Sequence, residues 1–267
     1  MKLGGNEYTF REAAGAFGDL GTLVPFVVGY ITINRLDAQS VLLGFGLVGV
    51  VSGFYFRTPM PVQPMKGIAT TAITHPGTVT PGMLWASALT TGVFWLVMGI
   101  TGAVSWLAAL TARPVVRGIV LGLGLSFILE GVSVRLLALD HGLVNLAAAA
   151  LGGVPMCRGA GGMAGHVRFG ARTGGALVIL GTLLLIAAFF LADSIGTLLR
   201  LFPMPVLGVI LFFGGLELAS SVASDGFSPA ERTVLVVTAG LALWNMGAAY
   251  LAGLALHHAW KRRLIKL

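Results

Sequence analysis

The chain has 267 residues, of which 56% are hydrophobic and only 10% charged, and its mean hydropathy is +0.91, whereas a soluble domain carries about 25% charged residues. This excludes a soluble globular domain and reads as an all-α polytopic membrane protein whose solvent is a lipid bilayer. The net charge of +7 and the pI near 10.2 fit loop cations on the cytoplasmic side better than a nucleic-acid footprint, so no nucleic-acid partner is expected. The single cysteine, Cys157, excludes an intramolecular disulfide framework. The five histidines show no metal-ligand spacing, and neither a metal nor a cofactor is expected.

The chain opens on MKLGGNEYTF, a polar stretch with no apolar run behind a basic start, so no cleavable signal peptide is expected. Apolar stretches near the roughly 20 residues that cross a bilayer follow. They lie at Ala13–Ile33, Val41–Phe56, Met83–Leu110 (long enough to be tilted or bent), Val115–Leu129, Leu143–Leu151 with an upstream extension, Gly174–Leu191, Val206–Val222 and Thr233–Leu256. This predicts about eight spans. Two shorter segments, Pro61–Thr74 and Pro155–Gly170, are interrupted by glycine or proline. The closing HHAWKRRLIKL carries four cations, which puts that end in the cytoplasm. No Pro/Ser-rich linker or charge block marks a second, soluble domain.

The two interrupted segments resemble each other. PMKGIA (Pro64–Ala69) and PMCRGA (Pro155–Ala160) both read Pro-Met, a cation, a glycine and an alanine, with one residue inserted in the second. Short, Gly/Pro-broken apolar segments in corresponding parts of two halves point to a transporter site near the midplane. Proline lacks an N–H and disfavours helix in the residue before it, so each segment should run extended to Pro64 or Pro155 and then start a short helix. The first turn of such a helix leaves backbone N–H groups free and carries a partial positive charge, which makes an anion site. Unwound backbone at membrane depth needs protein or a water-filled cavity around it, so two such ends imply a cavity.

Lys66 and Arg158 fall in these first turns and add positive potential. In the competing reading they snorkel from a loop to the interface. Gln63 lies in the same motif, and its plainer reading is that it satisfies a nearby backbone group. Asp19, in GAFGDLGTLVPF, has no cation close in sequence and sits inside a span, where ionisable groups are rare and functional by default. Its alternative role is to cap a helix break at Gly18–Gly21. Glu130 and Glu217 lie nearer span ends and read as structural. GAGGMA (Gly159–Ala164) matches the letters of a dinucleotide fingerprint, but no β-rich run precedes it and no acid follows about 20 residues on.

Four blocks carry a resemblance: FGDLGTLVPF (Phe17–Phe26), MPVQPMKGIA (Met60–Ala69), GGVPMCRGAGGMAGHVRFGARTGG (Gly152–Gly175) and FPMPVLGVILFFGGLEL (Phe202–Leu218). They resemble, in order, the signature blocks of the molybdate transporter family, a branch related to the sulfate permeases. The resemblance implies an inverted-repeat transporter fold of the sulfate permease/uracil transporter type, with two seven-helix repeats split into a core and a gate domain. The oxyanion would sit between the broken third and tenth helices. By position, it assigns Gln63 and Lys66 of the third-helix motif, and Cys157, Arg158, Gly159 and Gly161 of the tenth, to substrate binding. Asp19, on the first helix lining the same cavity, becomes the coupling residue.

The same resemblance places a first repeat at 1–132, with its broken helix at 58–74, and a second at 133–267, with its broken helix at 153–170 and gate-type spans after it. Fourteen helices with loops would need about 350 residues. Between RPVVRGIVLGLGLSFILEGV and the tenth-helix block the family's sixth, seventh and eighth helices are not found, so the second repeat is expected to be incomplete. The missing eighth helix would mirror FGDLGTLVPF.

The expected function is secondary transport of a tetrahedral oxyanion, molybdate before sulfate, by alternating access. Protonation at Asp19 would remove its repulsion of the anion and couple the two. The alternatives are an anion channel and a non-transporting membrane subunit; no acid, base and nucleophile constellation suggests an enzyme. The expected location is a bacterial or archaeal inner membrane, with a homo-oligomer or another subunit covering what the short second repeat leaves open.

Overall fold

The computed structural model describes residues 2–111, 114–115, 134–195, 227–242 and 246–265. The expected span Val206–Val222, nearly all of Val115–Leu129, the block Phe202–Leu218, Glu130 and Glu217 lie outside the described residues. The chain forms two compact units, one of Met1–Thr101 with Leu129–Leu211 and one of Gly102–Ile128 with Phe212–Leu267. Each unit draws on early and late parts of the sequence.

The first unit opens with a short antiparallel hairpin, β1 (Lys2–Leu3) and β2 (Asn6–Glu7). Helix α1 (Phe10–Ala16) is capped by Thr9, whose side chain accepts from Glu12 N. It passes through a 3-10 turn at Phe17–Asp19 into α2 (Leu20–Thr32), and the 23 residues from Phe10 to Thr32 are long and apolar enough to cross a membrane. Helix α3 (Ala38–Phe56) starts at an Asp37 cap, with Ser40 N donating to Oδ2 at 2.7 Å, and stops at Arg57 in a left-handed conformation. Then come β3 (Gln63–Pro64), α4 (Lys66–Thr74) and α5 (Pro81–Thr101). The second part of the unit supplies α7 (Val134–Ala150), β4 (Met156–Cys157), α8 (Ala160–Arg168) and α9 (Gly175–Phe190).

Three helices among the described residues meet the length and apolarity of a span: Phe10–Thr32, Ala38–Phe56 and Pro81–Thr101; α9 is a shorter apolar helix. Their outward faces are apolar too. Val93, Phe94, Val97 and Ile100 of α5 and Ile186, Phe189 and Phe190 of α9 are exposed, a pattern a soluble surface does not tolerate and lipid tails do. Inside, α3 packs along α9 and α5 along α7. The α3–α9 seam depends on small residues, for a methyl added at Gly46 would meet Gly181 O at 2.9 Å. The interior is Leu23, Tyr30, Val41, Phe45, Leu84 and Met156, all essentially inaccessible.

The second unit contains α6 (Ala103–Leu110), α10 (Pro229–Ala242) and α11 (Met246–Lys261). Two sequence expectations change here. The long stretch Met83–Leu110 breaks at Gly102, whose φ of 74° a side chain would resist. The single span expected at Thr233–Leu256 is instead two helices packed on one another, with Gly253 against Thr238. Unbroken apolarity made that stretch read as one span, and hydropathy carries no signal for a reversal inside lipid-compatible sequence.

Candidate functional site

The two proline-broken segments meet. Strands β3 and β4 pair antiparallel, Gln63 opposite Cys157 and Pro64 opposite Met156, and Met65 N donates to Pro155 O at 3.0 Å. The two Pro-Met dipeptides therefore face each other as a two-fold would place them. The expectation of extended chain followed by short helix holds in both. Helix α4 starts at Lys66, directly after Met65, whereas α8 starts only at Ala160, because Met156–Cys157 stay in the ladder and Gly159 is still extended. Neither helix has a side-chain cap. The first-turn N–H groups of α4 (Gly67, Ile68) and of α8 (Gly161, Gly162) thus stand outside the helices' own hydrogen bonding.

Three side chains hold this crossing in place. Asn145 of α7 treats Met156 as a neighbouring strand would: Nδ2 donates to Met156 O at 2.9 Å, and Met156 N donates to Oδ1 at 2.9 Å. Its Nδ2 also reaches His141 O at 2.8 Å. The Cys157 thiol donates to Pro64 O at 3.7 Å, back across the ladder. Arg158 is buried and grips Asp140 with two parallel bonds, Nε to Oδ2 and Nη2 to Oδ1, each 2.8 Å. Its guanidinium also stands 5.2 Å from the centre of the Phe56 ring. The Arg158 charge is already met. Lys66, half-buried at the first position of α4, pairs with no carboxylate among the described residues.

Asp19 lies against the same crossing. It is 1% exposed, and its Oδ1 accepts from Thr22 Oγ1 and from Gln63 Nε2, which also donates to Thr22 Oγ1 at 2.6 Å. The capping role open at the sequence level is not what the side chain does: Asp19 occupies the N-cap of α2 but bonds no backbone N–H there. Gln63 likewise serves Asp19 and Thr22 with its nitrogen, while its Oε1 and Asp19 Oδ2 are buried without a hydrogen-bond partner among the described residues. Helix α8 closes over both through glycine. A methyl on Gly159 would overlap Gln63 Oε1, and one on Gly162 would meet Asp19 Oδ1 at 2.6 Å.

Of the sequence-derived residues, the structure brings Asp19, Gln63, Cys157 and Gly159 to one place, with Lys66 and Gly161 in the two helix starts and Arg158 turned to Asp140. Sequence reading missed Thr22, Asn145, Gly162, His166 and the Asp140 partner. A lone Asn in the Ala/Leu-rich run LVNLAAAA was the available signal for Asn145, and the three-residue spacing from Asp19 for Thr22.

The sequence matches the family described as molybdate transporter of the MFS superfamily over residues 11–127 and 126–218. The chain belongs to this family. It is similar to molybdate transporter 2 of Arabidopsis thaliana, 24% identical over 390 residues that cover 89% of this chain and 84% of the relative. Molybdate transporter 1 of the same plant is 22% identical over 91% of this chain and 86% of its own length. Molybdate transporter 1 of Chlamydomonas reinhardtii is 42% identical, over 49% of this chain and 25% of that protein. An alignment of 390 positions against a chain of 267 leaves at least 123 of them without a residue here. The two matched pieces overlap at residues 126 and 127, within the stretch read as the fifth-helix region, and the positions without a residue fall inside the alignment, so the shortening is internal.

The fold is that of the transmembrane domain of a cyanobacterium bicarbonate transporter, BicA, with a TM-score of 0.62 at 11% identity over 94% of this chain and 98% of that one. The chain is an integral membrane protein of the inverted-repeat transporter type with two broken half-helices. Its family is one of transporters and not of enzymes.

Proposed function

We propose that this protein carries a tetrahedral oxyanion across the membrane, molybdate in preference to sulfate, by alternating access. The reading rests above all on the antiparallel crossing that sets two uncapped helix starts against each other, with Lys66 at one of them paired to no carboxylate among the described residues. Free N–H donors and the positive ends of two helix dipoles replace the water around a dianion, and Lys66 supplies a full charge. Gln63, Cys157, Gly159 and Gly161 shape the floor of the same site, and Arg158 braces it from Asp140. Membership of a molybdate transporter family supports the choice of anion.

Asp19 is the coupling residue of this scheme. A buried carboxylate beside an oxyanion repels it, and uptake of a proton relieves that repulsion. The repeats divide at about residue 132, the four cations of the C-terminal HHAWKRRLIKL keep that end in the cytoplasm of a prokaryotic inner membrane, and a second copy of the chain covers the wall that the incomplete repeat leaves open. One observation favours a non-transporting subunit instead, the 123 or more positions absent relative to the Arabidopsis protein. Uptake of radiolabelled molybdate into vesicles holding the purified chain separates the readings. Saturable uptake, accelerated by an inward proton gradient and competed by sulfate, supports coupled transport. Non-saturating flux indicates a channel, and no flux a subunit.

A further inference from the structure

The site contains a buried base that none of the above uses. His166, on α8, is fully buried, and its Nδ1 lies 2.7 Å from Gly15 O. A carbonyl oxygen only accepts, so Nδ1 carries the hydrogen and the neutral ring presents Nε2 as a bare acceptor. Among the described residues Nε2 has no hydrogen-bond partner, and neither do Asp19 Oδ2 and Gln63 Oε1. The turn carrying Asp19 packs directly on the α8 turn that carries His166: a methyl at Gly18 would meet His166 N at 2.8 Å. Three buried acceptors at this packing site thus have no donor bonded to them among the described residues, and buried acceptors without donors are costly.

We propose that His166 is the proton-binding residue of this site: one proton enters with the anion, settles on His166 Nε2, and leaves Asp19 ionised beside an imidazolium. This rests on the reading of Asp19 as the coupling carboxylate and says where the neutralising proton resides. Asp19 Oδ1 already accepts from Thr22 and Gln63, whereas His166 Nε2 accepts from nothing among the described residues. The remaining ionisable neighbours are otherwise committed. On α1, Glu12 takes the N–H groups of Arg172, Thr173 and Ala176. On the strands, Arg158 is paired with Asp140 and the Cys157 thiol with Pro64 O. Lys66 on α4 faces the anion, and Arg168 on the same helix as His166 is exposed. An imidazole nitrogen among the acceptors suits a proton better than an alkali cation, which takes oxygen ligands.

The test is proton uptake on molybdate binding, measured with a pH indicator in weakly buffered solution on the purified full chain. The unmutated protein should take up about one proton per molybdate, and its affinity should rise up to about tenfold per pH unit of acidification within the titration window, as linkage requires. His166→Asn keeps a donor for Gly15 O and loses the Nε2 base. It should still bind molybdate, with no proton uptake and a flat pH profile. Full proton uptake in His166→Asn, or a dependence on sodium in place of pH, overturns the proposal while leaving the anion site standing; no molybdate binding by the unmutated protein overturns both. Should His166→Asn not fold, infrared difference spectra of unmutated, histidine-labelled protein decide. An imidazolium signal on adding molybdate supports the assignment, and a new carboxylic-acid band without it refutes it.

Discussion

At Lys66 and Arg158 two cations from matching motifs have separate tasks. Lys66 has no carboxylate partner among the described residues, whereas Arg158 is bound twice to Asp140. Lys66→Gln should therefore weaken molybdate binding about ten- to hundredfold, the equivalent of one charge-assisted hydrogen bond of about 1.5–3 kcal/mol, with little change in thermal midpoint. Arg158→Gln should act the other way round. It strands Asp140, and removing one partner of a buried pair costs about 3–5 kcal/mol, somewhat less here because the Asp140 side chain is 13% exposed. Melting curves and binding isotherms on both variants check the split, and equal effects of the two on affinity would refute it. Asp19→Asn removes the charge that must be neutralised, so anion binding should persist while the acceleration of uptake by a proton gradient disappears.

Among the elements, β4 is the one on which the site turns, and Asn145 is what fixes it. Asn145→Ala leaves both Met156 N and Met156 O without their partner, at about 1–3 kcal/mol for each stranded group, and β4 leads directly into α8. Thermal midpoint and molybdate affinity should fall together. Gly162→Ala should separate the two, since the methyl pushes α8 off Asp19 locally: binding is lost while the fold remains. On α10, Ser228 and Glu231 cap the helix reciprocally, with Ser228 N donating to Glu231 Oε2 at 3.0 Å. That bond, first among its causes, holds the Glu231 carboxyl below its ordinary range. A depressed carboxyl stabilises above its unfolded pKa and loses that contribution as pH falls through the folded value. Amide exchange in the first turn of α10 should quicken at acid pH, and Glu231→Gln should abolish that dependence.

The broken segments were legible because proline acts locally, through a missing N–H and a fixed φ, and the helix start at Lys66 follows from it; the second helix starts at Ala160, so Arg158 lies before its first turn and not in it, because Met156–Cys157 stay in the ladder. That the two segments pair, Gln63 with Cys157, rests on contacts 94 positions apart, and the repeated Pro-Met motif was its trace in the sequence. The partner Asp140 left no such trace, and Asn145 only that of a lone amide in an Ala/Leu-rich run. They sit in a helix whose pattern is satisfied by any apolar run, and only the tertiary crossing gives them a role. The reversal between α10 and α11 was hidden for the same reason, since both helices are lipid-compatible.

For the whole molecule, the internal shortening decides how the site is enclosed. In the reading proposed above, the first repeat supplies a helix carrying Asp19 beside its broken segment, and the shortened second repeat lacks a counterpart to it. The purified chain should accordingly self-associate in detergent and in lipid, and light scattering should give a mass above one protomer of 27.6 kDa plus bound detergent. A monomer driving concentrative uptake would contradict that. The central claim, that two facing helix starts and Lys66 form an oxyanion site, is tested most directly by equilibrium binding of molybdate to the purified chain and to Lys66→Gln. Saturable binding, competed by sulfate, indifferent to chloride and weakened at least tenfold in the variant, is the predicted result. Binding of equal strength in both proteins would contradict it.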